Sequence, residues 1–251
     1  MQISKTATLT PFLAPTFQDG RLHPAVIVLP GGGYAFTTPR EGTPAARMFN
    51  GLDCAAFVLD YTTCDRNPET TTDLMLGEVR DAIDLVRERA GDWHVDTARI
   101  CLCGFSAGGH LAALAGNAFA DDIDRVVLCY PALDFKGNRI ETAVRRGKFD
   151  GDPAKLMRLF DRRPIDSVSP RTPPTFLWHT FEDALVPVSA SYEYLLRLVE
   201  NRVPCEAHVY QYGRHGLALA SRASAKSPGY VDGHVASWTR LVGEWLWRGR
   251  P

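Results

Sequence analysis

Residues 99–114 read RICLCGFSAGGHLAAL: a short apolar run, then Gly104-Phe105-Ser106-Ala107-Gly108, then an Ala/Leu-rich helix former. A serine held at a sharp strand-to-helix turn exposes its hydroxyl for nucleophilic attack. Glycines two residues to either side remove side chains that would collide with neighbouring backbone. The pentapeptide alone is weak evidence, because glycine and serine are common residues. Its position between a strand-like run and a helix former carries the argument.

A serine hydroxyl is a poor nucleophile until a base takes its proton, and the base needs a carboxylate to hold its tautomer. The chain should therefore carry an acid and a histidine after Ser106, each just beyond a strand. Glu182 and Asp183 follow the run PTFLWHT (174–180), and Gly213-Arg214-His215-Gly216 follows EAHVYQY (206–212). Of the seven histidines, His23 and His94 precede strands, and His179 and His208 sit within strand-like runs. His110 lies on the helix after Ser106, where it packs or caps, and His234 opens the last helix. Only His215 occupies a glycine-flanked loop after a late strand, which selects it as the base. Glu182 and Asp183 are adjacent, and the physics of the sequence barely separates them.

Acyl transfer also needs donors aimed at the oxyanion. The run AVIVLP (25–30) ends in Pro30-Gly31-Gly32-Gly33-Tyr34, where residues without side chains let backbone N–H groups approach a substrate oxygen. Gly32 and Gly33 are the chosen donors, with Gly31 a third candidate, and Ala107 supplies the N–H after the nucleophile. A phosphate loop would want a Lys-Ser/Thr pair next, and Tyr34-Ala35-Phe36 offers none.

These residues must be carried by strands and helices. Apolar runs at 25–30, 55–61, 99–103, 125–131, 174–180 and 206–212 read as strands, most of them continuous as strands covered on both faces are. Between them lie helical stripes: Leu76, Val79, Ile83 and Val86; Tyr192, Leu195, Leu196 and Val199; and a last helix with Val235, Trp238, Leu241, Val242, Trp245 and Leu246. This alternation predicts an α/β fold, a mainly parallel sheet with helices on both faces and a ligand site beyond the strands' carboxyl ends. About 42 residues separate Pro131 from Pro174, too many for a simple crossover, so a small lid insertion is expected at 134–170. Asp152-Pro153 with Leu156, Leu159 and Phe160 reads as a capped helix inside it. From Lys136 to Arg163 there are nine Lys/Arg against four Asp/Glu, which a solvated positive face explains more simply than an anion-binding lid.

The 251 residues, 45% hydrophobic, suffice for one sizeable core, and one domain over 1–251 is the simplest organisation. A net charge of -1 offers no general attraction for nucleic acid or an acidic membrane, so a small neutral substrate is expected. The N-terminal MQISKTATLTPFLAP has no uninterrupted apolar core of a leader and no later stretch approaches a membrane span, which points to the cytoplasm. Six cysteines without Cys-x-x-Cys spacing read as free, mostly buried thiols. Trp245 and Trp247 could mark a homo-oligomer surface or pack on the sheet, the commoner arrangement.

PAVIVLPGGGYAF (24–36), the helix leading into Asp92-Trp93-His94-Val95-Asp96, CGFSAGGHLAAL (103–114), TPPTFLWHT (172–180) with Asp183-x-x-Val-Pro, and His215-Gly-Leu together resemble the small bacterial acetyl esterases of the α/β-hydrolase superfamily. These are related to bifunctional acetylxylan/feruloyl esterases. The resemblance implies the α/β-hydrolase fold, Asp183 as the acid of a Ser106–Asp183–His215 triad, and deacylation of carbohydrate esters such as acetylated xylo-oligosaccharides. Two departures stand out. Pro30 occupies the place of the histidine that opens the His-Gly-Gly-Gly motif of hormone-sensitive-lipase-like esterases, and the insert matches no family pattern. Ester hydrolysis through an acyl-enzyme on Ser106 needs neither metal nor organic cofactor. The rival readings are a general carboxylesterase, feruloyl esterase or peptidase of the same fold, and a non-catalytic hydrolase-fold sensor.

Overall fold

A computed structural model describes residues 1–15, 20–134, 139–147 and 152–248. Among the described residues seven strands form one sheet: β1 (Thr8–Phe12), β2 (His23–Leu29), β3 (Ala55–Asp60), β4 (Val95–Phe105), β5 (Arg125–Cys129), β6 (Thr175–Thr180) and β7 (Cys205–Tyr210), in the order β1-β3-β2-β4-β5-β6-β7. β1 runs antiparallel to β3, and every other pair is parallel. The six expected strands are all present, β4 being longer at both ends than its apolar run. β1 is an addition that periodicity did not disclose. Its sequence TLTPF is short and contains Pro11, which a sheet tolerates only at an edge such as this one.

Residues of β2 alternate between two cores. Ala25, Ile27 and Leu29 face a cluster built with α2 (Thr72–Glu88), α4 (Ala107–Ala118) and α7 (Ser189–Glu200). Val26 and Val28 face a second cluster with α1 (Pro39–Asn50) and α8 (Trp238–Trp247). Both faces of the sheet are therefore covered, which is why its central strands read as unbroken apolar runs. α2 forms where expected, its N-terminus capped by the Thr71 side chain accepting from Leu74 N at 3.1 Å. α3 (Ala90–Trp93) is a single turn leading into β4, and among the described residues no helix is long and apolar enough to cross a membrane.

One helical face is corrected. In α7 the inward residues are Ala190, Ser191, Tyr194 and Leu198, whereas Tyr192, Leu196 and Val199 of the expected stripe are 50%, 57% and 62% exposed. The sheet-facing row contains a serine, whose hydroxyl bonds His179 at 2.8 Å, and that polar core position broke the apolar period. Trp245 is buried against Phe176, ring centroids 5.6 Å apart, and so packs on the sheet.

Of the 134–170 insert, residues 135–138 and 148–151 lie outside the described residues. The rest carries α5 (Arg139–Arg145) and α6 (Pro153–Arg158). Asp152 caps α6 by accepting from Ala154 N at 2.9 Å, and Leu156, Leu159 and Phe160 are buried, as the sequence predicts. Four of the insert's nine cations pair with carboxylates among the described residues. Arg162 pairs with Asp73 at 2.6 Å, Arg163 with Asp134, Asp166 and Glu193, Arg145 with Glu141, and Lys155 with Glu69.

Candidate active site

β4 delivers the chain to Ser106, which adopts φ 53° and ψ -116° before α4 begins. The flanking glycines make this turn sterically feasible. A Cβ on Gly104 would stand 2.2 Å from Gly108 O, and one on Gly108 would stand 2.1 Å from Leu29 O. The Ser106 backbone is fixed by its N–H donating to Cys129 O at 3.0 Å and its carbonyl accepting from Ala132 N at 3.0 Å.

Three predicted residues from distant parts of the chain meet here. Ser106 Oγ lies 2.8 Å from His215 Nε2, and His215 Nδ1 lies 2.6 Å from Asp183 Oδ2. With the carboxylate holding the proton at Nδ1, Nε2 is left to accept from the serine hydroxyl. Glu182, the rival acid, is bonded elsewhere: its Oε2 accepts from Gly213 N at 3.3 Å. Asp183 Oδ1 accepts from Leu185 N and Val186 N, both at 2.9 Å. Burial pushes the Asp183 carboxyl up, but hydrogen bonds from His179 and His215 outweigh it and hold the group well below the usual carboxylate range.

His179 was missed as a site residue because its position within β6 reads as core. Its Nε2 lies 3.2 Å from Asp183 Oδ2 and 3.0 Å from Val186 O, and its Nδ1 accepts from Ser191 Oγ at 2.8 Å. It is thus a second imidazole on the carboxylate that orients His215.

The PGGGY turn passes over the serine, so that a Cβ on Gly31 would stand 2.9 Å from Ser106 Cβ. Gly31 N donates to the buried Glu41 at 2.8 Å, which removes it from the candidate oxyanion donors. Among the described residues the N–H groups of Gly32, Gly33 and Ala107 meet no acceptor, and all three residues line the cleft beside Ser106. Glu41 extends this scaffold. It accepts from Tyr130 OH at 2.7 Å, and that hydroxyl accepts from Ala218 N at 2.9 Å, tying the glycine turn to the loop that carries His215. The Tyr130 ring also meets the His215 imidazole edge to face, centroids 5.1 Å apart. No sequence signal marked either residue: Glu41 lies in a helix not predicted from the sequence, and Tyr130 reads as a strand aromatic.

His110 packs, as anticipated, and also links three segments. Its Nδ1 accepts from Tyr34 OH at 2.7 Å and its Nε2 donates to Arg162 O at 2.7 Å, joining the glycine turn, α4 and the insert. Burial pushes its imidazole down to about 4, so the ring is neutral near pH 7 with its proton on Nε2. Phe160 covers it, 5.1 Å between centroids, and lines the cleft. That cleft, about 650 Å³, has Phe36, Leu185 and Val186 as further apolar lining and Arg40, Arg214, Lys226 and Tyr230 as polar lining.

A doubly covered parallel sheet with a serine at the elbow after β4, and an acid and a histidine after β6 and β7, defines an α/β-hydrolase. The BD-FAE family model matches residues 12–130. A sugar hydrolase, YeeB, from Lactococcus lactis superposes with a TM-score of 0.85 at 30% identity, covering 99% of this chain and 96% of that one. The acetyl ester-xyloside bifunctional hydrolase from Caldicellulosiruptor lactoaceticus gives 0.75 at 33% identity, covering 95% and 86%. Endo-1,4-beta-xylanase B from Butyrivibrio fibrisolvens is 31% identical over 209 residues, 78% of this chain and 33% of that protein. The chain belongs to this esterase-like family of the α/β-hydrolase superfamily. It spans about a third to a half of the length of the curated relatives it matches.

Proposed function

We propose that the protein removes acetyl or other small acyl groups from carbohydrate esters through an acyl-enzyme on Ser106. The observation that carries the reading is the continuous relay from Ser106 Oγ through His215 to Asp183, with contacts of 2.8 and 2.6 Å. Ser106 Oγ bonds to the ester carbon while His215 Nε2 takes its proton, and Asp183 stabilises the imidazolium. Collapse breaks the bond to the alcohol oxygen, which leaves with the proton from His215. Water then bonds to the acyl carbon as His215 takes a proton from it, and cleavage of the serine ester releases the acid and restores Ser106. Backbone N–H groups of Ala107 and of Gly32 and Gly33 hold the oxyanion in both halves.

The carbohydrate part of this reading, and acetyl as the acyl group, are supported by the likeness to the 33%-identical acetyl ester-xyloside hydrolase, and an acyl pocket by Phe36, Phe160, Leu185 and Val186 in the cleft lining. We place the protein in the cytoplasm: all six cysteines are free thiols, which fits a reducing compartment. The test is acetate release from acetylated xylo-oligosaccharides compared with cleavage of ferulate esters and peptide anilides. The account expects acetylated sugars to be the best substrates and Ser106→Ala to lose at least ~10³-fold in hydrolysis. Faster cleavage of ferulate esters or anilides would reassign the substrate class. Wild-type rates in Ser106→Ala would overturn the mechanism.

A further inference from the structure

The cleft around Ser106 has a cationic wall. Three cations gather over the face of Tyr230: Lys226 Nζ at 4.6 Å from the ring centroid, Arg40 Cζ at 5.1 Å and Arg214 Cζ at 5.2 Å. Arg40 is committed to structure, donating to Gly216 O at 2.5 Å and Ser224 O at 2.8 Å and lying 3.7 Å from Glu41. Arg214 and Lys226 are different. Among the described residues neither has a carboxylate within 4.0 Å, although both line the cleft.

The acids on that cleft do not answer them. Glu41 holds Gly31 N and Tyr130 OH, and Glu182 accepts from Gly213 N. In the insert Arg145, Lys155, Arg162 and Arg163 pair with carboxylates, so a cleft lined by two cations without one stands apart from that cluster. Arg214 is also given room. A Cβ on Gly229 would stand 3.2 Å from its Nη2, so the glycine lets the guanidinium lie against the backbone beside Tyr230. Burial pushes the Tyr230 phenol up, yet hydrogen bonds from Lys226 and Arg214 to its oxygen, together with their charge, draw it below its ordinary value.

We propose that Arg214 and Lys226, gathered over Tyr230 on the wall of the Ser106 cleft, form an anion subsite that selects esters carrying a carboxylate away from the scissile bond. The proposal rests on the hydrolase reading. A carboxylate can enter on the alcohol, as in an acetylated uronic acid, or on the acyl group, as in a dicarboxylic monoester, and two substrate pairs separate these sources.

The first pair is phenyl acetate and 3-carboxyphenyl acetate, and the second is 4-nitrophenyl acetate and 4-nitrophenyl hemisuccinate. Each pair is read as the ratio of kcat/KM for the anionic over the neutral ester, because Arg214 adjoins His215 and its loss can alter both members together. In at least one pair this ratio should fall about tenfold in Arg214→Ala/Lys226→Ala, fall further in Lys226→Glu than in Lys226→Ala, and persist in Lys226→Arg. The wild-type ratio should also decline as salt rises from 10 to 300 mM, concentrations chosen as roughly a threefold or greater change in screening length. Ratios unmoved in both pairs by all of these changes would overturn the subsite while leaving ester hydrolysis standing. Failure of the wild type to turn over the neutral esters would overturn the hydrolase reading and the subsite with it.

Discussion

Asp183 is the residue on which the site's geometry converges. Its two oxygens receive four donors, from Leu185 N, Val186 N, His215 and His179, so a fully buried carboxylate stays ionised and fixed in orientation. His179 is therefore a positioning residue for His215. Replacing it by alanine should lower kcat about tenfold with KM nearly unchanged, and His179→Gln, which restores an N–H near the same place, should recover part of the loss. A pH readout separates this from simple misfolding. The folded-state carboxyl lies below its unfolded value, so its contribution to stability is present above about pH 4 and is lost as pH falls through the lower folded value. In His179→Ala the folded value rises, so the total loss should be smaller and complete at a higher pH, as seen in urea midpoints across the acid range. At this scale Ser106 and His215 were legible because elbow glycines and a loop after a late strand leave marks in sequence. His179, Glu41 and Tyr130 left none, since their roles come from partners 4, 10 and 89 positions away.

The elements position these residues through contacts that periodicity reads only in part. α2 and the capped α6 followed from their apolar spacing and caps, whereas the inward face of α7 did not, because Ser191 serves a buried histidine rather than the apolar core. α1 was also unread. It begins with Pro39 and holds Pro44 inside, and it forms because Ala45, Ala46 and Phe49 bury against the sheet. The insert is held to α4 by His110, whose neutral ring both accepts from Tyr34 and donates to Arg162 O. This clip is pH-sensitive with a definite sign. The unfolded chain protonates this histidine below about 6.5 and the folded chain only below about 4, so its contribution is complete above pH 6.5 and falls as pH drops toward 4. Between pH 7.5 and 4.5 the wild type should lose about 2 kcal/mol more stability than His110→Gln, which does not titrate in that window. Equal losses in the two proteins, measured by urea unfolding, would remove His110 from this role.

Across the whole molecule, one sheet brings together residues that lie 109 positions apart in the chain, Ser106 and His215, at the carboxyl ends of its parallel strands. That arrangement was legible because strands covered on both faces leave long apolar runs, and each site residue follows one. The edge strand β1 was not, being short, half-exposed and interrupted by proline. The cationic wall of the cleft was also hidden: the sequence drew attention to the charges of the insert, while the cations gathered beside Ser106 are Arg214 and Lys226, far along the chain. All of these assignments depend on one claim, that Ser106 is the activated nucleophile. Labelling the intact protein with a fluorophosphonate and locating the adduct by peptide mass mapping tests it most directly. The account predicts one adduct, on the Ser106 peptide, absent from Ser106→Ala. An adduct elsewhere, or none from a protein that still hydrolyses 4-nitrophenyl acetate, would contradict it.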